Sequence, residues 1–329
     1  MSAPGDTLPL ITVLGASGMV GSAITAVLAR RRVRLRVVAR RPVAPVPTGP
    51  AEIETRTADL SAPGALADVL HGSDVVIHLV AHDGGWRALD TDAESERINV
   101  GVLRETLDFW RGADGARPVV VFAGSTSQVG PVAKERIDGT EPDHPETRYD
   151  RQKQQAERLL KAATADGRVR GVSLRLPTVF GPAPIPPGDK GVLATMARRA
   201  LTGEPLTLWH GSEVRRDFLF VDDVADAFAA AVEHADALAG GHWLLGTGRG
   251  VPLRGAFETV AKIVGECTGS PPVPVTDVPP PAHVVPGDNR SAAADPSRFR
   301  SLTGWSPRVS LRDGLERTVA SLVRTAPRV

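Results

Sequence analysis

"VLGASGMVGSAITAVLARR", residues 13–31, leaves an apolar segment, passes three spaced glycines and enters a helical pattern. Gly15, Gly18 and Gly21 stand where a first strand gives way to a first helix. Glycine there permits a tight turn and lets an anion approach backbone N–H groups at the positive end of the helix. A spaced glycine trio says little by itself, but between the first strand and first helix of a βαβ unit it points to a dinucleotide pyrophosphate. The spacing is GxxGxxG rather than GxGxxG.

The chain on either side supports that unit. Short β-branched runs at 10–14, 34–39, 53–57, 74–80, 118–123 and 171–176 alternate with helical windows near 19–31, 64–70, 93–111 and 148–165. The strands are apolar through their centres without strict alternation, as in strands covered on both faces. The expected fold is therefore α/β: a Rossmann-type, doubly wound parallel sheet with a smaller C-terminal α/β substrate lobe. Texture changes after "PTVFGP", where residues 182–190 form a Pro-rich loop. "VDDVADAFAAAVEHA" (221–235) reads as a strong helix and "HWLLGTG" (242–248) as a strand returning to the sheet. The expected division gives residues 1–181, with 221–248, to a dinucleotide-binding domain, and 182–220 with 249–329 to the substrate lobe.

Composition narrows the function classes. The 329 residues are 42% hydrophobic and 23% charged, with a formal net charge of +1, enough to bury one large core or two smaller ones. No basic block interleaves with aromatics, which argues against nucleic acid. The N-terminus lacks a basic n-region and a long apolar h-region, and no window approaches the roughly 20 apolar residues of a membrane span. The expectation is a cytoplasmic protein with no membrane partner. Cys267 is the one cysteine, so an internal disulfide and a cysteine-rich zinc site are excluded, and no metal is expected.

The second strand ends "VVARRPV". An acidic residue at that place commonly holds the ribose hydroxyls of NAD, whereas arginine accommodates a 2′-phosphate. Arg40 and Arg41 stand there with no Asp or Glu competing, so NADPH/NADP+ is the expected cofactor. Asp59 in "TADL" is placed to accept from an adenine amino group, and "HLVA" (78–81) ends the strand over which the cofactor should cross.

Tyr149 is the only tyrosine in the chain and stands four residues before Lys153 at the start of a helical window. That spacing puts both side chains on one helical face. Reduction of a ketone needs a proton donor for the developing alkoxide. A phenol suits the task when a nearby ammonium lowers its pKa. "AGSTSQVG" (123–130) closes the fifth strand with hydroxyls that can hold a substrate carbonyl. Ser125, Tyr149 and Lys153 are thus expected as polariser, acid/base and pKa tuner.

The chain resembles the extended short-chain dehydrogenases/reductases and, within them, the nucleotide-sugar enzymes. The resemblance is carried by GASGMVG (15–21), Asp59-Leu60, Asn99 in "RINVG", STSQVG (125–130), the Tyr149/Lys153 pair and LRLPTVFGP (174–182). It continues through "GEPLTLWHGSEVRRDFLFVDDVADAF" and "DPSRFRSLTGWSP". It implies cofactor contacts from Ser17, Met19, Val20, Leu60, Leu79, Val80, Ala81, Asn99, Pro177 and Val179, with Lys153 also holding the nicotinamide ribose. It implies that Arg216 and Arg290 bind the sugar-nucleotide diphosphate, for which a planar guanidinium fork is suited, and that His82, Asp83 and Thr126 face the sugar. Sugar-nucleotide 4,6-dehydratases carry an Asp-Glu pair right after the matching serine; here those positions are Thr126 and Ser127. Epimerases of the UDP-galactose type usually have an acidic second-strand end, unlike Arg40 and Arg41. "VAHDGGWRA", "FAGSTSQVG" and "GVSLRLPTVFGP" look most like NDP-4-keto-6-deoxyhexose 4-ketoreductases of deoxysugar biosynthesis, though Val129 departs from the tyrosine of many relatives. The implied partner is a nucleotide-diphosphate keto sugar, and the implied assembly a homodimer through the helices at 93–111 and 148–165. Three alternatives stay open on the residues: an epimerase, a reductase of a non-nucleotide ketone, and a non-catalytic NADP-sensing protein.

Overall fold

The computed structural model describes residues 8–41, 43, 46–82, 93–112, 115, 117–182, 191–209, 214–281, 284 and 289–325. Its centre is a seven-stranded parallel sheet in the order β12-β7-β5-β4-β1-β2-β3. The strands are β1 (Leu10–Leu14), β2 (Arg34–Ala39), β3 (Glu52–Thr57), β4 (Val75–His78), β5 (Val119–Ser125), β7 (Arg170–Leu176) and β12 (His242–Leu244). Strand order reverses between β1 and β4, and in such sheets ligands bind outside the carboxyl ends at that point.

Alternation along each strand sorts its side chains between two cores. Val75 and Ile77 of β4, with Val119 and Val121 of β5, join one core under helix α1 (Met19–Leu28) and the helix Val221–Glu233. Val76, Val120 and Phe122 join the opposite core under the helices Ala65–Leu70, Val102–Asp108 and Arg148–Ala165. Helix α1 buries Gly21, Ile24, Thr25 and Leu28, one stripe at helical spacing. Alanines at 225, 227, 229 and 231 let helix 221–233 pack closely on the sheet.

A third apolar cluster joins Phe180, Phe218, Phe220, Leu193, Phe257 and Leu315. It is tied to the sheet's carboxyl end by the parallel pair β8 (Thr178–Phe180) and β11 (Phe218–Phe220). Further two-stranded pieces are β6 (Arg136–Ile137) with β15 (Ala293–Ala294), β9 (Leu206–Leu208) with β14 (Val275–Asp277), and β10 (Arg215–Arg216) with β13 (Val251–Pro252). Two sequence expectations are corrected. The strand read at 74–80 spans Val75–His78, the Leu79 N–H adding one last bond to the Leu14 carbonyl at 3.0 Å. The one read at 242–248 is a strand over His242–Leu244, with the Leu245 N–H donating to the Arg175 carbonyl at 3.1 Å just beyond it. Among the described residues no helix is long and apolar enough to cross a membrane.

Candidate active site

The glycine loop fits a dinucleotide. Gly15 has φ +88°, and a Cβ there would lie 3.1 Å from the Leu79 carbonyl carbon, so β1 and β4 approach closely only over glycine. A Cβ on Gly21 would stand 2.4 Å from the Gly15 oxygen, so a side chain there would push the helix off its turn. Gly18 caps α1 without a side chain over the first-turn N–H groups, leaving them to an anion. Ser17 is half-buried, and Met19 and Val20 pack on the Phe180 cluster.

Arg40 and Arg41 follow β2 and are both exposed. Asp59 accepts from the Ser61 N–H at 3.0 Å and hydroxyl at 2.7 Å. Those bonds, with the charges of Arg40 and Arg97, hold its carboxyl below the ordinary range. Arg40 and Asp59 thus sit together beyond the ends of β2 and β3. Leu60 is buried in the core with Val38 and Leu66, so it has only its backbone to offer a ligand. Leu79 and Val80 are half-buried and Ala81 exposed along the crossing. Asp83 lies outside the described residues.

Asn99 reaches this crossing by a device the sequence did not reveal. The helical segment through Ala93–Glu96 and Val102–Asp108 is interrupted by a π-helical turn at Arg97–Gly101, a feature frequent at functional sites. Buried Asn99 accepts from the His82 N–H and donates to Gln152 Oε1, both at 2.8 Å, and Gln152 donates to Ser95 Oγ at 2.9 Å. His82 is thereby held through its backbone.

The helix Arg148–Ala165 begins with a reciprocal cap. Thr147 Oγ1 accepts from Asp150 N at 3.1 Å and Asp150 Oδ2 from Thr147 N at 3.2 Å. This fixes the entry of Tyr149, whose hydroxyl has the Ser125 side chain as a polar neighbour. Ser125 ends β5 and caps a 3₁₀ turn, Thr126–Val129; Gln128 Oε1 accepts its N–H at 3.0 Å. Ser125 Oγ accepts from Ser127 N at 3.2 Å and is 2.7 Å from Ser127 Oγ. Lys153 is buried, its Nζ donating to the Ala123 carbonyl at 2.8 Å and lying 5.7 Å from the centre of the Tyr149 ring.

The electrostatics correct one expectation. Tyr149 keeps some exposed surface, yet protein closes around its hydroxyl. Burial, with Asp150 nearby, pushes the phenol up to about 12 against the opposing hydrogen bond of Ser125. Burial also pulls Lys153 down to about 8. Lysine does not lower the phenol here, because its ammonium is committed to Ala123. His78, fully buried at the end of β4, is driven to about 3 by burial and by the Lys153 charge, so it is neutral and Lys153 is the charged partner at neutral pH.

Beside Ser125 opens a cavity of about 160 Å³, lined by Thr126, Ser127, Val129, Pro177, Thr178, Arg216 and Arg290 among others. Val179, the next residue, is half-buried. Arg290 donates to the Ser127 carbonyl at 2.7 Å and to Glu146 at 3.0 Å; Arg216 donates to the Arg290 carbonyl. The structure therefore gathers Ser125, Thr126, Arg216 and Arg290 around one space, with Tyr149 next to Ser125. The sequence reading missed a buried network behind it, in which Arg175 is held by Asp143 and Glu157. A charged residue inside an apolar strand was the available signal, since a buried charge must find a partner.

Comparison with known proteins gives the same outline. The model of the "NAD dependent epimerase/dehydratase family" matches residues 11–246. The dTDP-L-rhamnose 4-epimerase of Burkholderia thailandensis is 27% identical, over 93% of this chain and 92% of that protein. The dTDP-6-deoxy-L-talose 4-dehydrogenase (NAD(P)(+)) of Kitasatospora kifunensis is 28% identical over 99% of each. The structure of MoeE5 in complex with UDP-glucuronic acid and NAD superimposes with a TM-score of 0.81 at 27% identity, over 96% of this chain and 99% of that one.

Proposed function

From a chain that belongs to the NAD dependent epimerase/dehydratase family, we propose an enzyme that uses NADPH to reduce the C4 ketone of an NDP-4-keto-6-deoxyhexose, with dTDP as the preferred nucleotide, to an alcohol. One observation carries the reading: Ser125 and Tyr149 brought together, with Lys153 behind them, beside a cavity lined by Arg216 and Arg290 in which hydroxyl-bearing Thr126 and Ser127 directly follow Ser125, while the carboxylate on its wall, Asp217, is engaged by Thr247, Gly248 and Ala294. Elimination would need an acid and a base where these hydroxyls stand.

Bound nicotinamide supplies the hydride. Ser125 holds the C4 oxygen, and Tyr149 donates its proton as negative charge develops there. A phenol held near 12 rests protonated at neutral pH, the form a reduction starts from. Lys153, held at the Ala123 carbonyl beside the pair, reaches the nicotinamide ribose. Arg216 and Arg290 hold the diphosphate, Arg290 exchanging Glu146 for phosphate oxygens. Thr126, with His82, faces the sugar, and Arg40 and Arg41 take the 2′-phosphate. Homodimerisation through the helices near 93–111 and 148–165 belongs to the same proposal.

The full-length likeness to a dTDP-L-rhamnose 4-epimerase favours a second reading, epimerisation at C4 with the same three residues. The deciding experiment mixes the protein with dTDP-4-keto-6-deoxyglucose and NADPH, with NADH as control, and follows the sugar by NMR. NADPH oxidation with a new C4 alcohol supports the reductase. An altered sugar without NADPH consumption supports the epimerase and refutes the first reading.

A further inference from the structure

Arg290 lines the cavity beside Ser125 and already holds a carboxylate. Its Nη2 donates to Glu146 Oε2 at 3.0 Å while its Nη1 donates to the Ser127 carbonyl at 2.7 Å. The two partners differ in kind. The Ser127 carbonyl is backbone, set in the 3₁₀ turn that Ser125 caps, whereas the Glu146 carboxylate hangs on a side chain that is 27% exposed. Among the described residues Arg290 Nε is buried without a hydrogen-bond partner, so this guanidinium still has donor capacity to give.

Glu146 can release Arg290 without loosening the chain. Its own carbonyl accepts from Arg151 Nη1 at 2.9 Å, and the next residue, Thr147, is tied to Asp150 by the reciprocal cap. Turning the Glu146 side chain toward solvent breaks none of these bonds. A guanidinium fork takes carboxylate and phosphate oxygens alike, so a diphosphate at this wall competes with Glu146 for Arg290. Substrate and product of the proposed reduction carry the same diphosphate. A grip on it binds both equally and does not speed the chemical step; it governs how fast product leaves.

Resting on the nucleotide-sugar reading above, we propose that Glu146 is a built-in competitor of the diphosphate, yielding Arg290 as the sugar nucleotide enters and reclaiming it as the product leaves. It is a positioning residue that acts on the ligand only through Arg290. Its carboxylate keeps the guanidinium at the cavity wall between turnovers and limits how tightly the nucleotide is held.

The test measures dTDP binding to the full chain by calorimetry and dTDP release by stopped-flow displacement. Glu146→Gln keeps the shape of the side chain and removes its charge. Its Kd for dTDP should fall about fivefold, chiefly through slower release, as for an ion pair at the upper end of the surface range. Glu146→Ala should shift the Kd in the same direction, whereas a residue that merely props Arg290 would weaken binding when truncated. Arg290→Gln should bind dTDP less tightly, and adding Glu146→Gln to it should change the Kd by less than about twofold, because nothing is left to compete for. A Kd unchanged or raised in both Glu146 variants, with Arg290→Gln still impaired, overturns the competitor alone. Wild-type dTDP affinity in Arg290→Gln would instead mean that the diphosphate is not held at this wall; the reading of the cavity then fails and the competitor with it.

Discussion

Changing Glu157 to glutamine removes one charge and keeps the shape of the side chain. In the native chain that carboxylate accepts from Ser173 Oγ at 2.8 Å, from Arg175 Nε at 3.0 Å and Nη2 at 2.7 Å, and from Lys161 at 2.7 Å. Arg175 is only 1% exposed and turns its other edge to Asp143. Burial pushes the Glu157 carboxyl up, but the Arg175 and Lys161 bonds and charges outweigh it and leave the pKa at about 2 against an ordinary 4.5. At roughly 1.36 kcal/mol per tenfold change in proton affinity, that is about 3 kcal/mol. Because the folded value is depressed, the stabilisation is present in full above pH 4.5 and is lost as pH falls toward 2. Breaking a buried ion pair by removing one partner costs about 3–5 kcal/mol, a consistent figure. Urea unfolding of wild type and Glu157→Gln at pH 7 should therefore differ by about 3 kcal/mol, and the gap should narrow as the pH is lowered below 4.5. A variant within about 1 kcal/mol of wild type at pH 7, well below the buried-pair range, or a gap unchanged by acid, would refute the reasoning.

Tyr149→Phe should cut turnover by about 10²-fold or more with NADPH affinity nearly intact, measured by steady-state kinetics and cofactor titration; retained turnover would remove Tyr149 from the acid role. Neutral replacement of both Arg40 and Arg41 should raise the KM for NADPH much more than that for NADH, and equal changes would sink the assignment of the 2′-phosphate. Reduction should be level at neutral pH and fall as pH rises through about 8, where buried Lys153 loses its charge. A profile flat to pH 10 would show that the ammonium is not needed.

The features legible in the sequence were those whose signal is local. β1, β2 and the helix 148–165 fall where periodicity put them, and Gly15 to Gly21 form the turn their spacing implies. Tyr149 and Lys153 were legible because four residues on one helix fix their mutual placement. Asn99 was readable only by likeness, since the π-helical turn that aims it has no single-residue signature. The pairing of Glu157 on a helix with Arg175 on β7 and Asp143 in a loop is set by tertiary contact, which spacing does not encode. The pKa of Tyr149 went the opposite way to expectation for a similar reason: the i,i+4 rule brings Lys153 near, while the carbonyl of Ala123, on another element, decides where its ammonium points.

The strand order also sets a schedule. Six of the seven strands of the parallel sheet lie within residues 10–176, and Ser125, Tyr149 and Lys153 lie among them. Arg290, which closes the cavity and clamps the Ser127 turn, emerges far later. At roughly 5–20 residues per second the interval on a ribosome is on the order of ten seconds. During it the strands that frame the glycine loop have emerged, while the core under α1 still lacks the helix Val221–Glu233 and the cavity still lacks Arg216 and Arg290. The site is complete only when these later segments pack against the sheet.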